Sequence, residues 1–270
     1  MEAVRSMNIQ IDTSHDVTEL LAENGVDPAS IDQIILSHWH FDHIGDPTRF
    51  PATTSLVVGP EFKENCLPGY RESPSSMVFD AAFRGRSVDE VDFSSARLRI
   101  AELEAIDWFG DGSFYLLNTP GHAVGHISAL ARTTADNEGS GPSFILLAGD
   151  VCHHAGELRP SHLQPLPDDI PTEDAGGHQM TAHYCQLHPY NDPKRPFYCP
   201  SAGGFNMDAE RMAQTRDKVA ELDGDPDVFV VLAHDHWLLD VVDLFPKAAN
   251  GWKAGGWDEN SRWRFLRDFA

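Results

Sequence analysis

A chain of 270 residues with 41% apolar side chains holds enough hydrophobic surface for a substantial core, which excludes global disorder. Its formal charge of −22 argues against nucleic-acid binding and against anionic membranes, because like charges would repel. The opening stretch Met1–Asp12 lacks the apolar centre of a secretion signal and no run of 18 apolar residues occurs, so a soluble, cytoplasmic protein is expected.

Taken in order, Met7–Ile11 is a first candidate strand. Asp16 is placed to cap a short helix that carries Val17, Leu20 and Leu21 on one face and ends at Gly25. Asp27-Pro28 signals another turn, and the apolar run Ile34-Ile35-Leu36, rich in β-branched residues and too short for a helix, marks Ile31–Leu36 as a buried strand. Thr54–Val58 is a second strand, closed by Gly59-Pro60. Residues 61–92 show no clear period and read as loop with short helices. Arg97–Ile106 and Ser113–Asn118 form an expected hairpin across Gly110-Asp111-Gly112. Ile127–Arg132 and Phe144–Leu147 make a second pair, joined by a polar, exposed stretch. Arg159–Gly204 is rich in Pro and His without a sustained period, long for a loop and typical of functional or disordered segments. Asp208–Leu222 reads as a helix with Met212, Val219 and Leu222 on one face, and Val228–Leu232 as a last buried strand. Cys66, Cys152, Cys185 and Cys199 have no C-x-x-C spacing and read as reduced thiols.

The chemistry concentrates in Ser37-His38-Trp39-His40-Phe41-Asp42-His43-Ile44-Gly45, directly after the Ile31–Leu36 strand. On an extended segment His38 and His40 point the same way, and a turn brings Asp42 and His43 beside them. Imidazole and carboxylate are ordinary zinc ligands, and an open tetrahedral site takes three of them plus water. Four donors in six residues are too many for one such ion and about right for a share of two. Surface histidines on a polar turn would be the bland alternative, but these would be half buried without partners, which is costly. Three later strand ends each add donors: His122 and His126 in Thr119-Pro120-Gly121-His122-Ala123-Val124-Gly125-His126, Asp150 after Phe144–Leu147, and His234-Asp235-His236 after Val228–Leu232.

The H-x-H-x-D-H pattern and the three later segments, in this order, resemble the metallo-β-lactamase superfamily over roughly residues 14 to 270. The resemblance implies an αββα sandwich in one domain, 1–270, with a two-metal hydrolytic site between its sheets. Carried over by position, it implies that His38, His40 and His126 hold one ion and Asp42, His43 and His234 the other, with Asp150 bridging. His122 is then a structural residue behind the ligands, and Asp235 orients an imidazole. A bridging carboxylate excludes the antibiotic-resistance lactamases of the superfamily. Ala148-Gly149-Asp150-Val151-Cys152-His153-His154 and its flanks look most like the branch of N-acyl-homoserine lactonases and of fungal lactone and lactam hydrolases. The glutathione-thioester hydrolases carry different residues there.

The function this implies is opening of a lactone or lactam ring in a small-molecule substrate, by a hydroxide shared between two divalent ions. Such a pair lowers the pKa of water from about 15.7 towards 7, so no protein nucleophile is needed, and no G-x-S-x-G segment is present. Zinc is the first expectation, although nitrogen and oxygen ligands also suit iron, manganese or cobalt. Asp42 and Asp150 are the expected catalytic carboxylates. His153 stands where many homoserine lactonases have a Tyr that donates to the substrate oxygen; the alternative is that His153 and His154 only bond the neighbouring loop. Thioester hydrolysis on the same metals is a second reading, and a truncated, non-catalytic remnant a third. The remnant reading arises because superfamily members begin with several strands, whereas only 37 residues precede His38. An uncovered first sheet predicts self-association.

Overall fold

The computed structural model describes residues 15–135, 141–167, 188–200 and 206–269. The candidate strand Met7–Ile11, Cys185 and much of the 159–204 segment lie outside the described residues. The first helix, α1 (Val17–Glu23), is closed by a reciprocal capping box in which Asp16 accepts from the Glu19 N–H and Glu19 accepts from the Asp16 N–H. Its expected apolar face turns outward: Val17 and Leu20 are exposed and Thr18 is the buried residue. The helix is held from outside instead, by Arg49 paired with Asp16 and Glu19.

The strand read at Ile31–Leu36 is β1 (Gln33–Ile35), followed by α2 (Phe41–Ile44), β2 (Ser55–Val58), α3 (Phe62–Cys66) and β3 (Val88–Glu90). These three strands form a parallel sheet in the order β1-β2-β3. The third falls in the stretch expected to be loop. Its sequence, Val88-Asp89-Glu90, is too short and polar to show a strand period, and only the pairing Leu56–Val88 to Val58–Glu90 makes it one.

Among the described residues the second sheet contains six strands in chain order: β4 (Leu98–Ile100), β5 (Leu103–Asp107), β6 (Phe114–Asn118), β7 (Ile127–Thr134), β8 (Ser143–Leu147) and β9 (Val228–Val231). All neighbours are antiparallel except β8 and β9. The strand expected over Arg97–Ile106 is in fact two, folded back at Ala101 and Glu102, both of which adopt positive φ. That is the turn preferred in two-residue hairpins, but without the Gly or Asn that announces it. The loop at Gly110-Asp111-Gly112 forms as read, with the Asp107 carboxylate accepting from the N–H groups of Gly110 and Gly112.

Period-two alternation sorts the side chains into layers. In β2, Leu56 and Val58 face an outer cluster with Phe62, Cys66, Ala82 and Phe83, whereas Val57 faces inward onto Leu116 and Ile127 of the second sheet. In the second sheet, Leu117, Leu130, Leu146 and Val230 face outward onto α4 (Ala155–Leu158) and α5 (Ala209–Asp223). The result is the expected αββα sandwich. Leu56, Val57, Leu116 and Leu146 are fully buried, each contributing about 1.5–3 kcal/mol by leaving water. After β9 the tail runs through α6 (Trp257–Ser261), and its Trp252 and Trp257 pack on Phe229 and Ile145. The tail aromatics therefore close a core. Cys66 and Cys152 are buried free thiols and Cys199 is an exposed one. Among the described residues no helix is long and apolar enough to cross a membrane.

Candidate metal centre

The carboxyl ends of β1, β6, β8 and β9 meet at one rim of the sandwich. The Ile127 N–H donates to the Ser37 carbonyl across the two sheets, and the Ala233 N–H donates to the Gly149 carbonyl between the last two strand ends. Each chain segment leaving that rim carries donors. Beyond β1 the chain continues extended through His38 and His40 and then winds into α2, so Asp42 and His43 turn back beside them. Gly45, with φ +60, ends this one-turn helix.

Two groups of donors result among the described residues. His38, His40, His122 and Asp150 converge in one, and Asp42, His43 and His234 in the other. In the first, Nε2 of His122 lies 3.2 Å from Nε2 of His38, 2.9 Å from Nδ1 of His40 and 3.3 Å from Oδ2 of Asp150. Donors at the corners of a tetrahedron around zinc, at about 2.0–2.1 Å from it, stand about 3.3 Å from one another. In the second group, Nε2 of His43 is 3.6 Å and Nε2 of His234 3.7 Å from Oδ2 of Asp42. Asp150 lies between the groups, with Oδ1 3.2 Å from Nε2 of His43 and Oδ2 3.1 Å from Nε2 of His234. The buried Oδ1 of Asp150 and Nε2 of His43 make no hydrogen bond. Bare polar atoms facing each other in a buried place are costly unless something binds them, so the donor set suits cations.

The electrostatics agree. Burial pulls His38 well below the ordinary histidine value and His122 to about 3, so both rings are neutral and can offer a lone pair at physiological pH. Burial lowers His40 as well. Burial alone would raise Asp150, but the rings of His153, His234 and His43 outweigh it and hold the carboxylate far below its ordinary range. His234 is raised, first by its hydrogen bond to Asp150.

His126 departs from expectation. The structure brings His122, and not His126, into the first group. Both nitrogens of His126 are occupied: Nδ1 lies 2.8 Å from the Thr119 carbonyl and donates to it, and Nε2 accepts the Asp150 N–H at 3.0 Å. The ring therefore ties the end of β6 to the Asp150 turn. A Cβ at Gly149, which has φ +57, would come within 2.9 Å of that Nε2, so the turn needs glycine for both reasons. His122 is aimed by Asn206, whose Oδ1 lies 3.1 Å from Nδ1 and places the N–H there, leaving Nε2 bare. Asn206 lies 84 residues from His122 in sequence and carries no local signal. Asp235 caps the following turn by accepting the Trp237 N–H. His153 reaches the site with Nε2 3.4 Å from Oδ2 of Asp150. His154 points away and caps α4, accepting the Gly156 N–H. The two adjacent histidines thus take opposite roles.

The metallo-beta-lactamase superfamily model matches residues 9–234. A gamma-lactamase of Fusarium pseudograminearum, FDB1, is 46% identical over 273 residues, covering 99% of this chain; the chain spans 65% of that relative's length. A gamma-lactamase of Gibberella moniliformis, MBL2, is 45% identical over 224 residues, 80% of this chain and 91% of the relative. Among solved structures, an N-acyl homoserine lactone hydrolase with N-hexanoyl-L-homoserine at its catalytic metal centre superposes with a TM-score of 0.52, at 15% identity, over 88% of this chain and 70% of that one. The likeness to that structure is one of fold. With the four motif segments, the layered sheets and the family match in agreement, the chain belongs to the metallo-β-lactamase superfamily.

Proposed function

We propose that this chain is a two-metal hydrolase that opens a lactone or lactam ring, with His38, His40 and His122 holding one ion, Asp42, His43 and His234 the other, and Asp150 shared. The observation that carries the reading is the position of Asp150 between two convergent donor groups. Two relatives named gamma-lactamase, at 46% and 45% identity, favour a cyclic amide or ester as the substrate class. Zinc is the preferred ion because the donors are imidazole and carboxylate at tetrahedral spacing. When bound, such ions supply an acidified water and a Lewis acid for the carbonyl.

The chain's own groups do the rest. His38, His122 and Asp150 are buried and form a closed wall, while Asp42 and His234 remain 38% exposed at the side chain, so substrate approaches over the second group. The Asp150 carboxylate stays ionised throughout the working range. In this reading Asp42, the more accessible of the two site carboxylates, transfers a proton from the attacking water to the leaving ring atom. His153, with its side chain 28% exposed, has Nε2 3.4 Å from Oδ2 of Asp150; in this reading it turns that N–H to the substrate carbonyl when the Asp150 oxygens are taken over by the ions. Loss of one such donor costs about 100- to 1000-fold in turnover, and His153→Ala should fall in that range or somewhat below it, with metal content unchanged.

Metal analysis of the purified protein, followed by a product-identified screen of lactones, cyclic amides and thioesters, tests the proposal. Two ions per chain and turnover of a cyclic ester or amide are expected. Faster turnover of thioesters would replace the substrate class, and a protein that retains no metal would return the reading to a non-catalytic remnant.

A further inference from the structure

The loops that carry Asp150 and His234 are each held at the base by the sheet, where β8 and β9 pair residue for residue and the Ala233 N–H reaches the Gly149 carbonyl. Their far ends are joined by a residue from neither loop. Asp268, on the 3-10 turn Arg264–Phe269, accepts from Nε2 of His154 through Oδ2 at 2.9 Å and from the Trp237 indole N–H through Oδ1 at 3.0 Å. The roles are fixed by chemistry. Nδ1 of His154 accepts the Gly156 N–H, so its proton resides on Nε2 and is donated to Asp268. The turn itself is anchored: Phe265 and Leu266 are buried in the main core, and Phe269 packs on Phe197 and Tyr198. His154 lies four residues beyond Asp150, and Trp237 three beyond His234. Asp150 and His153 on one side, and His234 on the other, are therefore suspended between the sheet and one carboxylate.

We propose that Asp268 is a positioning residue for the metal centre, a carboxylate staple that sets the separation of Asp150 and His153 from His234. The inference rests on the metal-binding reading above. Outer partners of this kind typically change metal affinity by about 10- to 100-fold. Asp268→Ala removes both bonds. Asp268→Asn keeps an acceptor for Trp237 and opposes the His154 donor with an amide, at unchanged shape, so a partial effect is expected. Phe269→Ala serves as the control, because it loosens the same tail without touching the carboxylate.

The test is the rate at which zinc-loaded protein surrenders metal to a chelator, read beside thermal unfolding of the metal-free forms. Asp268→Ala should release zinc about tenfold faster or more, Asp268→Asn should lie between, and Phe269→Ala should release at the wild-type rate while unfolding earlier. If Phe269→Ala speeds release as much as Asp268→Ala, tail packing explains the effect and the staple is overturned. Wild-type release rates in both Asp268 variants, from a wild type that does hold zinc, overturn it alone. A wild type that holds no zinc overturns the reading of the site and the staple together.

Discussion

Two rings four residues apart, His122 and His126, take different places: in the proposed site His122 is a ligand, and His126 ties the end of β6 to the Asp150 turn. His126 is buried on all sides and pulled to about 4 by that burial, and it uses both nitrogens inside the protein. Its removal leaves the Thr119 carbonyl and the Asp150 N–H without partners, at about 1–3 kcal/mol for each buried group. His126→Ala should therefore lower the denaturant midpoint of the metal-free protein, whereas His122→Ala should chiefly reduce bound metal and activity. Equal loss of metal with no change in metal-free stability for His126→Ala would return that ring to the ligand set. The pH dependence has a definite sign. Unfolded, His126 takes a proton near 6.5; folded, only near 4. Between those values the unfolded chain binds the extra proton, so stability of the metal-free protein falls as pH drops from about 6.5 to about 4. His122, pulled to about 3, carries the same trend lower. His234, raised by Asp150, works the other way: its contribution is complete below its ordinary value and fades as pH rises through its folded one. Denaturant titrations of metal-free wild type and His126→Ala between pH 7.5 and 4.5 (about three units, spanning the ordinary value) should show a shallower loss in the variant. The density of donors from His38 to His43 was legible from sequence because one strand end and one turn fix all four. The choice between His122 and His126 was not, because both lie in the turn between β6 and β7 and only the path of that turn decides which ring faces the rim.

At the level of elements, strands with a clear period were legible and turns that break their own sequence rules were not. The hairpin between β4 and β5 places Ala101 at φ 47 and Glu102 at φ 60, a left-handed backbone that costs about 1–2 kcal/mol for each side chain with a Cβ. Nothing in Ile100-Ala101-Glu102-Leu103 announces a turn, so the segment reads as one strand. Ala101→Asn with Glu102→Gly should stabilise the protein by about 1 kcal/mol, the strain relieved less the entropy glycine loses, as measured by chemical denaturation. A buried ion pair gives the opposite case. Arg159, after α4, grips Asp223, the last residue of α5, through two hydrogen bonds of 2.9 and 2.5 Å, and also donates to the Arg262 carbonyl. Both side chains are almost wholly buried. Asp223→Ala strands an unpaired guanidinium and should cost about 3–5 kcal/mol, while a double change to apolar residues of similar volume, Arg159→Met with Asp223→Leu, should recover most of that loss. A single-variant cost below about 1 kcal/mol would show that water reaches the pair, since exposed pairs contribute no more than that.

For the whole molecule, the open apolar surface among the described residues lies on the second sheet, whereas the sequence places it on the first. Leu116, Ala129, Leu147 and Val231 are direct cross-strand partners from β6 to β9, a continuous apolar row on the inner face of the second sheet. The first sheet, with three strands among the described residues, covers one end, where Leu116 is fully buried. The Trp252 and Trp257 tail covers the neighbouring position beside Ile145 and Phe229. Between them lies a cleft of about 320 Å³ bordered by Ile35, Phe114, Ala129, Leu147 and Val231, and among the described residues nothing fills it. Leu147 is 48% exposed there, on a strand whose next residue but two is Asp150. Sequence could not show this, because alternation marks Leu147 as apolar and inward and says nothing of how wide the opposing sheet is. Apolar attraction at the cleft acts against repulsion between copies that each carry a charge of −22. Salt shortens the reach of that repulsion, from about 30 Å at 0.01 M to about 8 Å at 0.15 M, and leaves the apolar contribution largely intact. Self-association should therefore increase with ionic strength, the reverse of an interface built on ion pairs. Sedimentation velocity at low and physiological salt should show the weight-average coefficient rising with both salt and protein concentration. Leu147→Glu, which places a charge in the middle of the row, should abolish the rise. A wild type that remains monomeric at every salt concentration would mean that the row is covered in solution, and Leu147→Glu should then destabilise the fold instead.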